Sequence, residues 1–388
     1  QRLSPPILKQ GFRPFFLGAA LFAVIAVGLW LAMLANAASL PIAIDRLAWH
    51  QHEMLFGFTS AVIAGFLLTA VPNWTGRLSV RGTPLAALFG VWLAGRLAQA
   101  SSAVIGAAFA AVIDASFLFL LMAMTGHEIV LSKNRRNLVV VGLLGLLAIA
   151  NILFHLDQLA GFALDDAPLR MAMAAIAMLV ALIGGRIVPS FTRNWLAKQD
   201  SQCQSMPAPF GRFDQVALLI LAIALLGFVL APDALPTHLL LTIAGVSLLV
   251  RLCRWRGFST WREPLVWSLH AGYLCVAIGV ALLGLTALIP DLDRLSATHA
   301  LTAGGFGTMI LAVMTRASLG HGGRALAADR LTTVIYLMVM LGALGRTVSN
   351  LASGSFLLIA AGLIWASAFL LFAIGYGKLL CSPRQPSK

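Results

Sequence analysis

Residues 49–72 have the sequence WHQHEMLFGFTSAVIAGFLLTAVP, in which His50, His52 and Glu53 precede a long apolar run. A helix of about 20 apolar residues crosses a hydrocarbon core about 30 Å thick, so this run is long enough to span a membrane. Ionisable side chains at the mouth of such a segment are costly and mark functional positions. One interpretation is a polar helix cap at the membrane surface. The His-x-His-Glu spacing favours another, a metal or haem site.

The rest of the chain has the same apolar character. Of its 388 residues, 60% are hydrophobic and 11% are charged, and the mean hydropathy is +0.91. This leaves too little polar surface for a water-soluble fold of this length. We predict an all-α polytopic membrane protein with about twelve transmembrane helices. The predicted segments are 16–38, 49–72, 84–106, 108–131, 137–156, 169–189, 214–231, 236–254, 264–288, 297–317, 330–350 and 354–378.

The connections are short except for residues 190–213, which contain Pro207 and Pro209. We therefore predict a single transmembrane domain over residues 1–388, with 190–213 as the one loop suited to a boundary between halves. The second and sixth segments end in Val-Pro followed by a nearby Arg, and the tenth ends in a related basic, Gly-rich turn. Three four-helix repeats explain this similarity, and so does the common chemistry of cytoplasmic helix ends.

The basic residues indicate the topology. Most Lys and Arg residues fall at the N-terminus, the C-terminus and the connections that follow even-numbered segments. The positive-inside rule then places both termini in the cytoplasm. The net charge of +13 is thus a topology signal, and we predict no nucleic-acid partner. The exceptions on the other side are Arg46, Arg96, Arg170, Arg294 and Arg346.

Two histidines suit axial ligation of a haem. His52 and His299 lie at similar depth near the starts of the second and tenth segments, which run in the same direction. Axial ligands approach the iron from opposite faces, so two facing imidazoles are what bis-histidine ligation requires. His50 lies about 200° around a helix from His52 and shares a side with Glu53. We predict that His50 and Glu53 serve a second metal or a proton path, with Glu53 as the catalytic proton relay.

Two further histidines are candidate ligands. His155, near the end of the fifth segment, is either a metal or haem ligand or an interfacial capping residue. His270 stands within the ninth segment without a charged neighbour at helical spacing, and it is either a ligand or a buried histidine bonded to a backbone carbonyl. The predicted metal ligands are therefore His50, His52, His155, His270 and His299.

Arginine and cysteine positions bear on how haem would be held. Arg96 and Arg346 need partners inside a membrane, and haem propionates are candidates because guanidinium pairs with carboxylate through two hydrogen bonds. Glu53 and Asp114 are competing partners of these arginines.

The cysteines form no CxxC or CxxCH pattern, so any haem is expected to bind non-covalently. They are Cys203, Cys253, Cys275 and Cys381.

Several motifs together resemble the NnrS family, and the resemblance runs through most of the chain. They are Gly11-Phe12-Arg13-Pro14-Phe15-Phe16, Trp49-His50-Gln51-His52-Glu53-Met54-Leu55-Phe56-Gly57, Pro72-Asn73-Trp74-Thr75-Gly76-Arg77, Gly185-Arg186-Ile187-Val188-Pro189-Ser190-Phe191-Thr192-Arg193 and His299-Ala300-Leu301-Thr302-Ala303-Gly304-Gly305. The resemblance implies a multi-pass protein of the bacterial inner membrane that contains haem b, expected in more than one copy, with copper as a further candidate. It also implies nitric oxide as the relevant small molecule.

We therefore expect a nitric oxide reductase-like oxidoreductase that acts in denitrification or nitrosative-stress defence and forms nitrous oxide. A non-enzymatic haem-based sink or sensor of nitric oxide is the alternative, and a transporter is a third class. The expected partners are nitric oxide, membrane lipid and an electron donor, either quinol or cytochrome. On this hypothesis His52 and His299 hold an electron-accepting haem, and His155 or His270 holds a haem that binds nitric oxide.

The chain is also loosely similar to haem–copper oxidases and respiratory nitric oxide reductases, which have twelve helices and haem ligands on the second and tenth. It departs from them because its sixth segment has no histidine and its tenth has no His-x-His pair. A second metal centre would therefore be built differently, from His50, Glu53, His155 or His270.

Overall fold

Twelve long helices occupy the parts of the chain that the structure describes. The computed structural model describes residues 4–133, 135–199, 206–351 and 355–384, and no β-strand occurs among them. The prediction of an all-α polytopic membrane protein is confirmed. The helices are α1 Phe12–Leu34, α2 Arg46–Thr75, α3 Thr83–Ala100, α4 Ala107–Leu131, α5 Leu138–Ala160, α6 Ala167–Gln199, α7 Arg212–Leu230, α8 Leu235–Cys253, α9 Pro264–Leu285, α10 Arg294–Gly322, α11 Arg330–Val348 and α12 Phe356–Cys381.

Within these described ranges, eleven helices are long and apolar enough to cross a membrane. The exception is α3, whose 18 residues include the buried polar side chains of Arg96 and Gln99. At 1.5 Å per residue α3 is still about 27 Å long, close to the thickness of a hydrocarbon core. The cytoplasmic location of both termini stays a prediction.

Two helices continue through the proline at which their segments were predicted to end. α2 continues through Pro72 to Thr75, and α6 continues through Pro189 to Gln199, although both segments were expected to stop at proline. Proline removes one backbone hydrogen bond. In apolar surroundings the other backbone N–H and C=O groups still pair best within a helix, so the helix continues. Residues 190–199 of the predicted loop are therefore helical. Residues 200–205 lie outside the described residues.

The chain forms two compact units. The first comprises Gln1–Ala175, Ala317–Arg324 and Phe372–Lys388, and the second comprises Ile176–Arg316 and Ala325–Leu371. The first boundary between the units along the chain falls inside α6, between Ala175 and Ile176. A single transmembrane domain over the whole chain stays a prediction.

Both α2 and α10 contain a π-helical stretch directly after a histidine. Glu53–Thr59 follows His52, and Ala300–Phe306 follows His299. A π turn leaves backbone groups imperfectly paired and is frequent at functional sites. Each stretch has a carbonyl that accepts a hydrogen bond from a tryptophan of a neighbouring helix: Trp92 Nε1 lies 2.9 Å from the Gly57 oxygen, and Trp365 Nε1 lies 3.1 Å from the Ala303 oxygen. The hypothesis of three repeats stays a prediction.

In the first unit, hydrogen bonds of Arg13 connect the first turn of α1 to the end of α12. Its Nη1 donates to the carbonyl oxygens of Leu379, Leu380 and Ser382, and the side chain is 2% exposed. The last carbonyls of a helix have no hydrogen-bond partner within the helix, so the buried guanidinium supplies donors for them. Its positive charge also interacts favourably with the negative end of the helix dipole.

Candidate metal centre

Four helices of the first unit direct six polar side chains to one place. Each lies within one of the long helices, and their convergence buries them against one another. The least buried of the six is His155, at 8% exposure. The six are His52 and Glu53 of α2, Arg96 of α3, Asp114 of α4, and Asn151 and His155 of α5.

Two imidazoles converge on one carboxylate oxygen. His52 Nε2 lies 3.1 Å and His155 Nε2 lies 2.9 Å from Oδ2 of Asp114, and the three potential ligand atoms all lie within 4.8 Å of one another. Ligand atoms about 2.0–2.2 Å from a metal ion lie roughly 3.0–3.5 Å apart, so the observed separations leave the ligands close to metal-binding positions. Two histidines and one carboxylate are the donor set of non-haem iron(II) sites with open positions, and nitrogen and oxygen donors also suit copper(II).

A ring of hydrogen bonds supports these ligands. His52 Nδ1 lies 2.9 Å from Glu53 Oε1, and Arg96 Nη1 lies 2.7 Å from Glu53 Oε2. The other terminal nitrogen of Arg96 pairs with Asp114 Oδ1, which closes the ring. A carboxylate on the far nitrogen of a ligating imidazole fixes the tautomer and orientation of the ring. Glu53 is positioned to do this for His52, which leaves Nε2 for a metal.

The charges of the cluster favour a cation. Glu53 and Asp114 contribute two negative charges and Arg96 one positive charge, so these three residues carry −1 in a buried place. An unbalanced charge away from water is costly. Either a bound cation or a proton on one imidazole balances it. A proton-balanced ion-pair network is thus the structural alternative to a metal site.

Gly57 and two aromatic rings shape the space around the cluster. A Cβ atom on Gly57 would collide with Arg96 Nη1 and lie 2.9 Å from Glu53 Oε2, so only glycine leaves room for this ion pair. The rings of Phe56 and Phe154 lie 5.2 Å and 5.0 Å from the His52 ring. These apolar walls keep water from the charged groups and strengthen their interaction.

The structure thus brings together four of the residues selected from sequence: His52, Glu53, Arg96 and His155. His50, by contrast, stacks on Trp30 with ring centroids 4.6 Å apart. The expected sharing of one side by His50 and Glu53 assumed a regular α-helix. The π-helical stretch begins at Glu53, and this carboxylate contacts His52 and Arg96. A metal at His50 stays a prediction.

The other predicted residues belong to the second unit. His299 Nδ1 lies 2.8 Å from the Leu295 carbonyl oxygen, and Arg346 Nη1 donates to Ser349 Oγ at 3.0 Å. His270 Nε2 lies 2.8 Å from Thr192 Oγ1. Their roles as haem or metal ligands stay predictions.

Sequence reasoning did not select Asp114 or Asn151 as parts of a metal site. Asp114 was considered only as a partner of Arg96. The available signal was its position, because a carboxylate inside an apolar helix needs a partner and is functional by default. Asn151 donates from Nδ2 to Asp114 Oδ2 at 2.8 Å, and its own oxygen lies 3.0 Å from His52 Nε2.

The fold and the cluster define a multi-pass helical membrane protein with a buried two-histidine, one-carboxylate site that could hold a metal ion. The family model described as NnrS protein matches residues 6–384, nearly the whole chain. The chain belongs to the NnrS family, and the resemblance seen in the motifs is confirmed. A comparison with curated proteins gave no match. Membership suggests a membrane protein associated with haem or another metal and linked to the response to nitric oxide.

Proposed function

We propose that this protein binds nitric oxide at a transition metal and removes it by reduction to nitrous oxide. The observation that carries the proposal is the convergence of His52 Nε2, His155 Nε2 and Asp114 Oδ2 within 4.8 Å in a buried part of the first unit. Three protein ligands leave coordination positions open, as ligand binding requires. Iron and copper are the two metals that the donor set and a redox reaction favour. When bound, the metal would supply an electron-rich centre for nitric oxide.

The residues of the cluster have separate roles in this proposal. His52, His155 and Asp114 would hold the metal, and Arg96 pairs with the carboxylates of Glu53 and Asp114 and orients them. Glu53 contacts His52 on one oxygen and Arg96 on the other, so it can pass a proton at the edge of the site. The overall reaction takes two nitric oxide molecules, two protons and two electrons and gives nitrous oxide and water. Nitric oxide is small and apolar, so it can arrive through lipid, and His155 is the cluster residue most open to it.

The electrons have to come from outside the cluster, and haem b is the proposed carrier. His299 fits a haem ligand, because the contact of Nδ1 with the Leu295 carbonyl makes Nδ1 the donor and leaves Nε2 as the nitrogen with a lone pair. Arg346, in the same unit, would pair with a propionate. His270 is the second candidate for a haem ligand. The proposed electron donor is a quinol or a cytochrome, and the proposed location is the bacterial inner membrane.

The test starts from the purified, fully loaded protein in its reduced form. A reduced-minus-oxidised optical spectrum is recorded, nitric oxide is added, and an electrode follows its concentration. The proposal expects haem bands that change on addition and recover as the gas disappears, with nitrous oxide as the product. A change that persists without consumption indicates a sink or sensor and overturns the catalytic part of the proposal. Absence of both haem and bound metal overturns all of it.

A variant separates proton delivery from binding. Glu53→Gln can still accept the hydrogen bond of His52, but it cannot pass a proton as a carboxylate does. Loss of a positioned proton donor typically lowers turnover by about a hundredfold or more. We expect this loss with nitric oxide binding retained. Glu128→Gln, which removes an acid outside the cluster, is the matched control and should leave turnover unchanged.

A further inference from the structure

A second polar site lies in the first unit at the end of α2 opposite to His52. It is a cavity of about 360 Å³, lined by the N-terminal turn, the last turns of α2, the loop that follows α2, and His321 at the end of α10. From His52 to Asn73 the helix rises about 30 Å, at 1.5 Å per residue, so this cavity is separate from the metal centre. Its volume is within the range of small-molecule sites, about 300–1,000 Å³.

Three polar side chains of the cavity offer hydrogen-bond donors, and Thr69, Asn73 and Ser79 also line it. Arg77 uses Nε for its ion pair with Glu128, and its two terminal amino groups are further donors. Gln10 accepts a hydrogen bond from Arg13 Nε on Oε1 at 3.2 Å, so its amide nitrogen is the group left for a ligand. His321 adds an imidazole, whose ring lies 5.6 Å from that of Phe12. Donors of this kind suit the oxygens of an anion.

The surrounding charge also favours an anion. The three segments that form the cavity, residues 4–17, 68–82 and 317–324, contain no Asp or Glu. Glu128 approaches from α4 and neutralises one positive charge through Arg77. The remaining charges give the region a positive potential. The basic residues of the three segments are Lys9, Arg13, Arg77, Arg81 and Arg324.

Apolar residues form another part of the cavity wall. Leu68, Pro72 and Leu78 line it beside the polar groups. The cavity also lies where two candidate membrane spans end, at Thr75 and Gly322. A ligand with an anionic oxygen group and an adjoining apolar part would contact both kinds of wall. Basic sites at the cytoplasmic surface of membrane proteins bind the phosphate groups of anionic lipids.

We propose that this cavity is a binding site for a phosphate group, held by Arg77, His321 and Gln10. A phospholipid headgroup and soluble phosphate share this chemistry, and the apolar wall favours the lipid. The site is independent of nitric oxide chemistry. Its failure would leave metal content and nitric oxide consumption as they are, so the two proposals can be tested separately.

The experiment measures thermal unfolding of the purified full-length protein with three additives: phosphatidylglycerol, phosphatidylcholine and inorganic phosphate. We expect phosphatidylglycerol to raise the unfolding temperature more than phosphatidylcholine does. Arg77→Gln should weaken the apparent affinity for phosphatidylglycerol about tenfold or more, because a charge-assisted hydrogen bond is lost. Arg135→Gln removes an exposed arginine that does not line the cavity, and it should have no effect.

A second variant moves the affinity in the opposite direction. Glu128→Gln releases Arg77 from its ion pair and should tighten phosphatidylglycerol binding. If inorganic phosphate raises the unfolding temperature as much as phosphatidylglycerol does at a similar concentration, the phosphate site is supported and its ligand is soluble phosphate. Equal responses to the two lipids, with no response to inorganic phosphate, would overturn the proposal. Equal weakening in Arg77→Gln and Arg135→Gln would also overturn it.

Discussion

His155 of α5 places Nε2 2.9 Å from Oδ2 of Asp114 on α4, a residue 41 positions away in the chain. This contact joins two helices that each carry a polar side chain into an apolar layer. It is also one edge of the proposed metal site, because His52 approaches the same oxygen from α2 at 3.1 Å.

Arg96 should be the most important residue of the cluster for stability. Replacing it by methionine leaves Glu53 and Asp114 buried without their cation, and breaking a buried ion pair typically costs about 3–5 kcal/mol. Thermal unfolding of Arg96→Met in detergent should show this loss, and Arg135→Met, at an exposed position, should not. The double variant Arg96→Met, Glu53→Gln restores the charge of −1 and should recover part of the stability. Equal stability of Arg96→Met and the native protein would contradict the network.

Gly57 should tolerate no side chain. The Cβ of alanine would collide with Arg96 Nη1, and overpacking of this kind costs about 1–3 kcal/mol. Gly57→Ala should therefore lower both the unfolding temperature and the metal content. Gly28→Ala is the matched control, because apart from its chain neighbours and the adjacent backbone of its own helix no atom lies within 4 Å of its Cβ position. Within a helix, replacing an unhindered glycine such as Gly28 by alanine is neutral or stabilises the protein by up to about 1 kcal/mol. Similar behaviour of the two variants would show that the space at Gly57 is not needed.

His299 should hold haem, whereas the first-unit cluster should not. His299→Ala removes the proposed axial nitrogen, so the haem absorbance per protein should fall while the metal of the cluster stays. His127→Ala, at a side chain that is 66% exposed, is the control and should keep its haem. The visible spectrum and a pyridine extract give the haem content. Unchanged haem in a folded His299→Ala protein would rule out this ligand.

Much of the fold could be predicted from sequence, because the length of an apolar run is a local property. The segments agree with the helices, and the main difference is α6, which continues through Pro189 to Gln199. Local composition could not predict that the helix continues. Whether a helix continues past a proline depends on whether the surroundings offer other hydrogen-bond partners to the backbone groups that the helix would pair.

The site could be predicted only in part. His52, Glu53, Arg96 and His155 were identifiable because each is ionisable within or beside an apolar segment. Their assembly around Asp114 could not be predicted, since it depends on which faces of four helices meet. The expectation that His50 and Glu53 share one side rested on a helical projection with 3.6 residues per turn, which does not hold in a π-helical stretch.

The most direct test of the metal site is elemental analysis of the purified native protein beside Asp114→Asn. This exchange keeps the shape of the side chain and removes the negative charge that the two imidazoles face. We predict close to one iron or copper ion per chain in the native protein beyond any haem iron, and metal affinity at least about tenfold lower in the variant. Asp291→Asn, at an exposed acid, should keep the native content. Equal metal in Asp114→Asn and the native protein, or no non-haem metal in either, would show that the cluster is a proton-balanced ion-pair network.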